Sequence, residues 1–197
     1  TDRRSLPADM VLLAVGIRPN TSLARDAGLE LAPNGTIVVD DHMRTSDPSV
    51  YAGGDCVISK NLITGRPVWQ PMGSTANREG RVIADNIAGY GTSFSGVLGT
   101  GILKLFNLTI GRTGLNEGQA KEAGFDPVSI VVEEQDRPHF MPGMGDLTIR
   151  LVADRTSRRI IGAQIMGTGV ADKRLDSLVS AISAGMSEMP ATSWPSR

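Results

Sequence analysis

Two glycines and a carboxylate, Gly53-Gly54-Asp55, close a short apolar run of Val50, Tyr51 and Ala52. A glycine lets the backbone come close to a ligand with no Cβ in the way. A carboxylate just beyond it accepts hydrogen bonds from the hydroxyls of a sugar or polyol. Further along, Pro71-Met72-Gly73-Ser74-Thr75 opens a helix. Its first turn carries N–H groups with no helical acceptor and a partial positive charge, which favours negative charge placed against it. Taken alone, each feature also has a plain structural reading: a Gly-Asp turn ending a strand, and a helix packed on a sheet. Cys56 is the only cysteine, so an intrachain disulfide is excluded. A redox cysteine needs an exposed electropositive setting and a partner sulfur or a flavin face; Cys56 is taken as structural. His42 and His139 stand alone, with no metal-ligand spacing around them. Trp69, just before Pro71, is read as packing. No residue is assigned as a catalyst or a metal ligand.

The elements that must position these groups follow from periodicity. The continuous apolar run of residues 10–15, ended by Gly16 and followed by Pro19-Asn20, predicts a buried parallel strand leading into a loop. Asn20 or Thr21 caps a short helix over 21–27, closed by Gly28. Asn34-Gly35 is a turn, and the β-branched run 36–39 predicts a strand after it. Segment 71–89 predicts a helix capped by Ser74 or Thr75, with Ala76, Gly80, Ile83, Ala84 and Ile87 on one face and Gly89 as its stop. Gly, Ser and Thr then crowd residues 89–96, and a domain boundary is placed near residue 95. Beyond it, strands are expected over 103–112, 128–133, 147–153 and 160–166, with 155–158 as a hairpin loop. Helices are expected over 116–123, stopped by Gly124, and over 169–185, with Val170, Leu175, Leu178, Val179 and Ile182 on one face.

With these placements the run 45–56, Thr-Ser-Asp-Pro-Ser-Val-Tyr-Ala-Gly-Gly-Asp-Cys, resembles the second flavin-binding motif of the FAD-dependent pyridine-nucleotide-disulfide oxidoreductases. In that motif the final Asp binds the ribityl chain of FAD. Residues 8–20, a strand followed by Gly16-Ile-Arg-Pro19-Asn20, resemble the family's connection back into the FAD domain. The segment Met72-Gly73-Ser74-Thr75-Ala76-Asn77, with Gly80-Arg81 after it, is similar to the pattern of the NADH oxidase and coenzyme A-disulfide reductase branch. There the helix end faces the flavin pyrimidine. The stretch from Thr113, the run 159–167 and Asp172-Lys173-Arg174-Leu175-Asp176 resemble that branch's dimerisation domain. Read by themselves, the charges of this last run make a solvated, self-paired helix face. Two departures stand out: Phe140-Met141 falls where the branch often has tyrosines, and residues 188–197 replace an acidic helix with a Pro-rich tail, from either a frame change or a divergent terminus.

The resemblance implies α/β plus α+β architecture: the C-terminal part of an FAD/NAD-binding domain over 1–95, then an antiparallel-sheet dimerisation domain with flanking helices over 96–197, disordered after about residue 187. It implies FAD as cofactor, bound by Gly53, Gly54, Asp55, Gly73, Ser74 and Thr75. It also implies NAD(P)H as electron donor, a small-molecule disulfide such as coenzyme A disulfide or oxygen as acceptor, and a homodimer formed through residues 96–187. Neither NADH nor NADPH, nor one acceptor, is singled out. The chain starts as if inside a sheet and has no Gly-x-Gly-x-x-Gly. It is therefore expected to be the C-terminal part of a longer enzyme, inactive and unable to hold FAD tightly alone. Its 197 residues are 40% hydrophobic but only 4% aromatic and include 23 glycines, which suits a nucleotide-binding α/β protein. A net charge of −1 gives no electrostatic basis for nucleic acid or an anionic membrane as partner, and no apolar run is long enough to span a bilayer. A cytoplasmic location is expected. Two alternatives stay open: a non-catalytic self-association module without flavin, and another branch of disulfide reductases.

Overall fold

The structure, a computed structural model, describes residues 5–187. Residues 10–15 form no strand, and Met10 and Val15 are 87% and 91% exposed. This corrects the expected buried strand. A run that is apolar on both faces becomes a parallel strand only with a ladder partner and cover on both sides, and no described residue pairs with it.

From Thr21 the chain condenses. Helix α1 (Ser22–Asp26) follows Thr21, whose hydroxyl does not cap it but donates to the Gly35 carbonyl at 2.7 Å. The expected strand over 36–39 reduces to single-pair bridges, Leu31 with Ile37 and Ile37 with Val57. A short antiparallel pair, β1 (Ser59–Lys60) and β2 (Pro67–Val68), follows. Next comes helix α2 (Gly73–Ile87), flanked by Met72 and Ala88, with Gly89 at φ +88° just beyond as expected. No side chain caps it, so neither Ser74 nor Thr75 has the expected capping role. Ala24, Ile37, Met43, Val57, Val82, Phe94 and Val97 form the core of this region.

The buried face of α2 also differs from the expected one. It is Thr75, Glu79, Val82 and Asn86, about one residue around the helix from Ala76, Gly80, Ile83 and Ile87. Three of these four are polar, and each polar group that faces inward can be buried only if bonded. Asn86 Nδ2 donates to the carbonyls of His42, Val82 and Thr92 at 3.1, 2.9 and 2.7 Å. The helix thus clamps neighbouring loops through amide and carboxylate groups, a pattern that hydrophobic spacing does not display.

The second region is a five-stranded antiparallel sheet of order β3-β4-β7-β6-β5. Its strands are β3 (Gly101–Leu105), β4 (Leu108–Gly114), β5 (Pro127–Gln135), β6 (Asp146–Asp154) and β7 (Ile160–Gly167). The single strand expected over 103–112 is a hairpin, pairing Leu105 with Leu108 and turning at Phe106 with φ +55°. The run Leu103–Ile110 contains neither Gly nor Pro, and Asn107 is the one turn-favouring residue in it. Helix α3 (Glu117–Ala123) begins with a full capping box, in which Asn116 accepts from Gln119 N–H and Gln119 returns the bond, and ends at Gly124, φ +94°. Helix α4 (Asp172–Ser183) packs on β4 and β7, burying Leu175 with Leu147, Ile165 and Ala171. Leu115, Ala120, Val152 and Ile161 make a further core cluster near α3. The expected tail beyond 187 lies outside the described residues.

Candidate cofactor site

Gly53 and Gly54 lie against α2. A Cβ at position 53 would sit 2.9 Å from Ile83 Cδ1 and 3.3 Å from Glu79 Cβ. Gly54 has φ +87°, and a Cβ there would sit 3.5 Å from the Ala76 Cβ. Gly53 is therefore needed by the packing of the turn on the helix and Gly54 by its left-handed backbone, apart from any ligand. The turn is closed from below by Glu79, which is 0% exposed. One Glu79 carboxylate oxygen accepts the Gly54 N–H at 2.7 Å, and the other accepts the Ser59 hydroxyl at 2.9 Å. From the side, Trp69 Nε1 donates to the Asp55 backbone carbonyl at 2.9 Å. Trp69 was expected only to pack; it fixes the backbone of the residue that carries the exposed carboxylate.

These ties leave the Asp55 side chain exposed, with no hydrogen-bond or ion-pair partner among the described residues. The same turn abuts the first turn of α2 at Ala76. Gly73 and Ser74 are exposed there, while Thr75 is 9% exposed. The N–H groups of residues 73–75 meet no protein acceptor among the described residues, as the geometry of a helix start dictates. The turn that carries the exposed Asp55 carboxylate thus lies against the helix whose first amides are free, and a carboxylate acceptor and amide donors are groups that suit a molecule with hydroxyls at one end and an anionic edge at the other.

Cys56, in this turn, is half-buried, and its thiol lies 3.5 Å from the Gly53 carbonyl. Burial pushes that thiol up, and the carboxylates of Glu79 and Asp55 push in the same direction. A thiol held protonated is a poor nucleophile, in keeping with its structural reading. His42 Nδ1 lies 3.0 Å from the Thr92 carbonyl, and His139 is exposed, edge-on to Phe140. No group of three or more potential metal ligands occurs among the described residues.

The charged run on α4 is not self-paired as expected. Arg174 donates to the Asp136 carbonyl at 2.7 Å. The Asp136 carboxylate, 1% exposed, accepts from Arg137 at 2.9 Å, from Gly145 N–H at 2.9 Å and from Val170 N–H at 3.0 Å. Asp136 thus fastens the 137–145 loop, with its exposed Phe140 and Met141, to the start of α4. The sequence offered no hydropathy signal for either Asp136 or Glu79, since an isolated carboxylate among charged neighbours reads as solvated surface.

Two family descriptions match this chain: pyridine nucleotide-disulphide oxidoreductase over residues 1–78, and the dimerisation domain of the same family over residues 102–192. The chain belongs to the pyridine nucleotide-disulphide oxidoreductase family. It is 38% identical over 185 residues to an NAD(P)H sulfur oxidoreductase (CoA-dependent) of Pyrococcus furiosus, covering 94% of this chain and 42% of that protein. It is 35% identical to an NADH oxidase of Enterococcus faecalis, covering 84% of this chain and 37% of that protein. Its fold matches the crystal structure of an FAD-dependent pyridine nucleotide-disulphide oxidoreductase from Desulfovibrio vulgaris with TM-score 0.80 and 42% identity, over 94% of this chain and 45% of that one. The chain thus spans about two fifths of the length of these relatives. The partial α/β region and the antiparallel-sheet region, in that order, are the architecture expected of this family.

Proposed function

We propose that this chain is the part of a flavoprotein oxidoreductase that holds the ribityl arm and pyrimidine edge of FAD and joins two copies of the enzyme. The observation that carries this reading is the exposed, unpartnered Asp55 carboxylate beside the first turn of α2, in a chain of this family. When bound, FAD supplies two-electron chemistry, taking a hydride from NAD(P)H and passing electrons on to a disulfide such as coenzyme A disulfide, or to oxygen. The relatives named as CoA-dependent sulfur oxidoreductase and NADH oxidase support these two acceptor classes. Asp55 accepts hydrogen bonds from the ribityl hydroxyls. Gly53 and Gly54 keep the turn low enough for close approach. The amides of Gly73, Ser74 and Thr75 face negative charge at the pyrimidine, which favours the reduced cofactor. No helix among the described residues is long and apolar enough to cross a membrane; a cytoplasmic location is part of the same proposal.

In the full-length protein, Asp55→Ala is expected to weaken FAD binding about 10- to 100-fold, the loss of a charge-assisted hydrogen bond of about 1.5–3 kcal/mol. Fluorescence titration of the apoprotein measures this. Unchanged affinity removes Asp55 from the site. The 197-residue chain alone is expected to retain little flavin on gel filtration; full occupancy would contradict the division of the site between this chain and the rest of the enzyme.

A second reading rests on the sheet. One face of it is an open groove of about 660 Å³, with Met72, Leu103, Ile110, Val131 and Met166 around a cross-strand row of Arg112, Gln164 and Arg150. Exposed apolar surface of this kind suits a second copy of the chain. With a domain boundary near residue 95, residues 96–187 would then self-associate whether or not flavin is bound. A stable dimer that binds no flavin when complemented by the rest of the enzyme favours the pure interaction module.

A further inference from the structure

The deepest carboxylate in the FAD-binding region is not the one proposed to touch the cofactor. Glu79 lies wholly inside α2, and each of its oxygens accepts a hydrogen bond from a different segment: Gly54 N–H in the turn at 2.7 Å and Ser59 Oγ in β1 at 2.9 Å. Its backbone belongs to the helix whose first turn offers the free amides, and its Cβ, with Ile83 Cδ1, is what a side chain at position 53 would crowd, at 3.3 Å. One residue therefore fixes the distance between the two halves of the site, the turn carrying Asp55 and the helix end. A buried carboxylate is costly unless its lone pairs are filled. A Leu or Met here would pack without that demand, so burial alone does not explain the choice of a carboxylate.

We propose that Glu79 is a positioning residue for FAD: through Gly54 and Ser59 it sets the turn that presents Asp55 at the spacing from the α2 amides that the ribityl arm and the pyrimidine edge require. This rests on the flavin reading above. Glu79 does not touch the cofactor; it acts through the Gly54 amide. A carboxamide keeps the same reach: its carbonyl oxygen can accept Gly54 N–H, more weakly than a carboxylate does, and its nitrogen can donate to Ser59 Oγ. Geometry, rather than charge, is therefore what Glu79 contributes.

The test uses the full-length protein, with wild type, Glu79→Gln and Glu79→Leu. Three measurements are made: FAD dissociation constant by fluorescence titration of apoprotein, flavin midpoint potential by dye-coupled reduction, and apoprotein melting temperature. Glu79→Gln is expected to bind FAD within about threefold of wild type. Glu79→Leu is expected to bind at least about tenfold more weakly, with a shifted midpoint potential in the fraction still loaded. Should Glu79→Leu fail to fold, Glu79→Asp, one methylene too short to span both partners, is expected to weaken FAD binding more than threefold. A lower melting temperature with unchanged FAD affinity and potential in these variants would overturn the proposal, leaving Glu79 a plain structural residue. Wild-type protein that takes up no FAD would instead overturn the flavin reading itself, and this inference with it.

Discussion

At the scale of single residues, Gly53 is where two demands meet. Its lack of a side chain lets the turn seat on α2, with Ile83 and Glu79 filling the space a Cβ would take. Gly53→Ala must push Ile83 aside and press on Glu79, and is expected to cost about 1–3 kcal/mol. Thermal unfolding of the apoprotein measures it, and a neutral change would mean that α2 yields more readily than its packing implies. The Gly-Gly-Asp motif was plain in the sequence, because glycines and a carboxylate at the end of an apolar run are an uncommon set. Its floor was not, because Glu79 and Trp69 reach the turn from 25 and 14 residues away. Cys56 gives a second residue-scale outcome. With its thiol pushed up by burial, alkylation at pH 7 is expected to be slower than that of an unhindered thiol, and to accelerate as pH rises toward the alkaline range. Rapid modification at neutral pH would restore it as a redox candidate.

Whole elements show a different mixture. Helix α3 was legible in its span and in its stop at Gly124, a left-handed residue, while the capping box of Asn116 and Gln119 came from the structure. Asn116→Ala is expected to cost about 1 kcal/mol, visible as a lowered denaturation midpoint with an unchanged m-value. The face of α2 was less legible, since its inward residues are chosen for hydrogen bonds to distant loops as well as for apolarity. The loop 137–145 is held at its root by Asp136. The Arg137 guanidinium first, then the amides of Gly145 and Val170, hold that carboxyl well below the usual carboxylate range. A carboxyl depressed in the folded state contributes stability above its unfolded value of about 3.9, and that stability is lost as pH falls through the folded value. Asp154 acts with the same sign: burial pushes it up, but the Ser157 hydroxyl and amide, together with the Asp126 amide, outweigh that and leave it lowered. Asp136→Asn is therefore expected to be less stable than wild type at neutral pH and to lose less stability between about pH 5 and pH 2. Melting curves across that range measure the slope, and parallel wild-type and variant profiles would exclude this role for Asp136.

For the molecule as a whole, the open face of the five-stranded sheet bears on assembly. Met166 and Leu103 are 50% and 55% exposed on it, beside Arg112 and Arg150. In the full-length protein Met166→Glu is expected to weaken self-association, seen by light scattering as a shift toward monomer over a dilution series. An unaltered dimer would move the interface to another surface.

What the sequence by itself determined is local or strongly marked: the glycine-carboxylate turn, the glycines beyond the helix ends, most of the antiparallel strands, and the family those motifs resemble. These rest on backbone freedom, capping and two- or three-residue periodicity, which act between near neighbours along the chain. Only the tertiary structure decided that residues 10–15 make no strand, that the run 103–112 folds back at Phe106, and that Glu79, Trp69 and Asp136 hold loops in place. Each of those outcomes depends on a partner far away in the chain, or on none being present, and a hydrogen bond across such a distance leaves no period in the sequence.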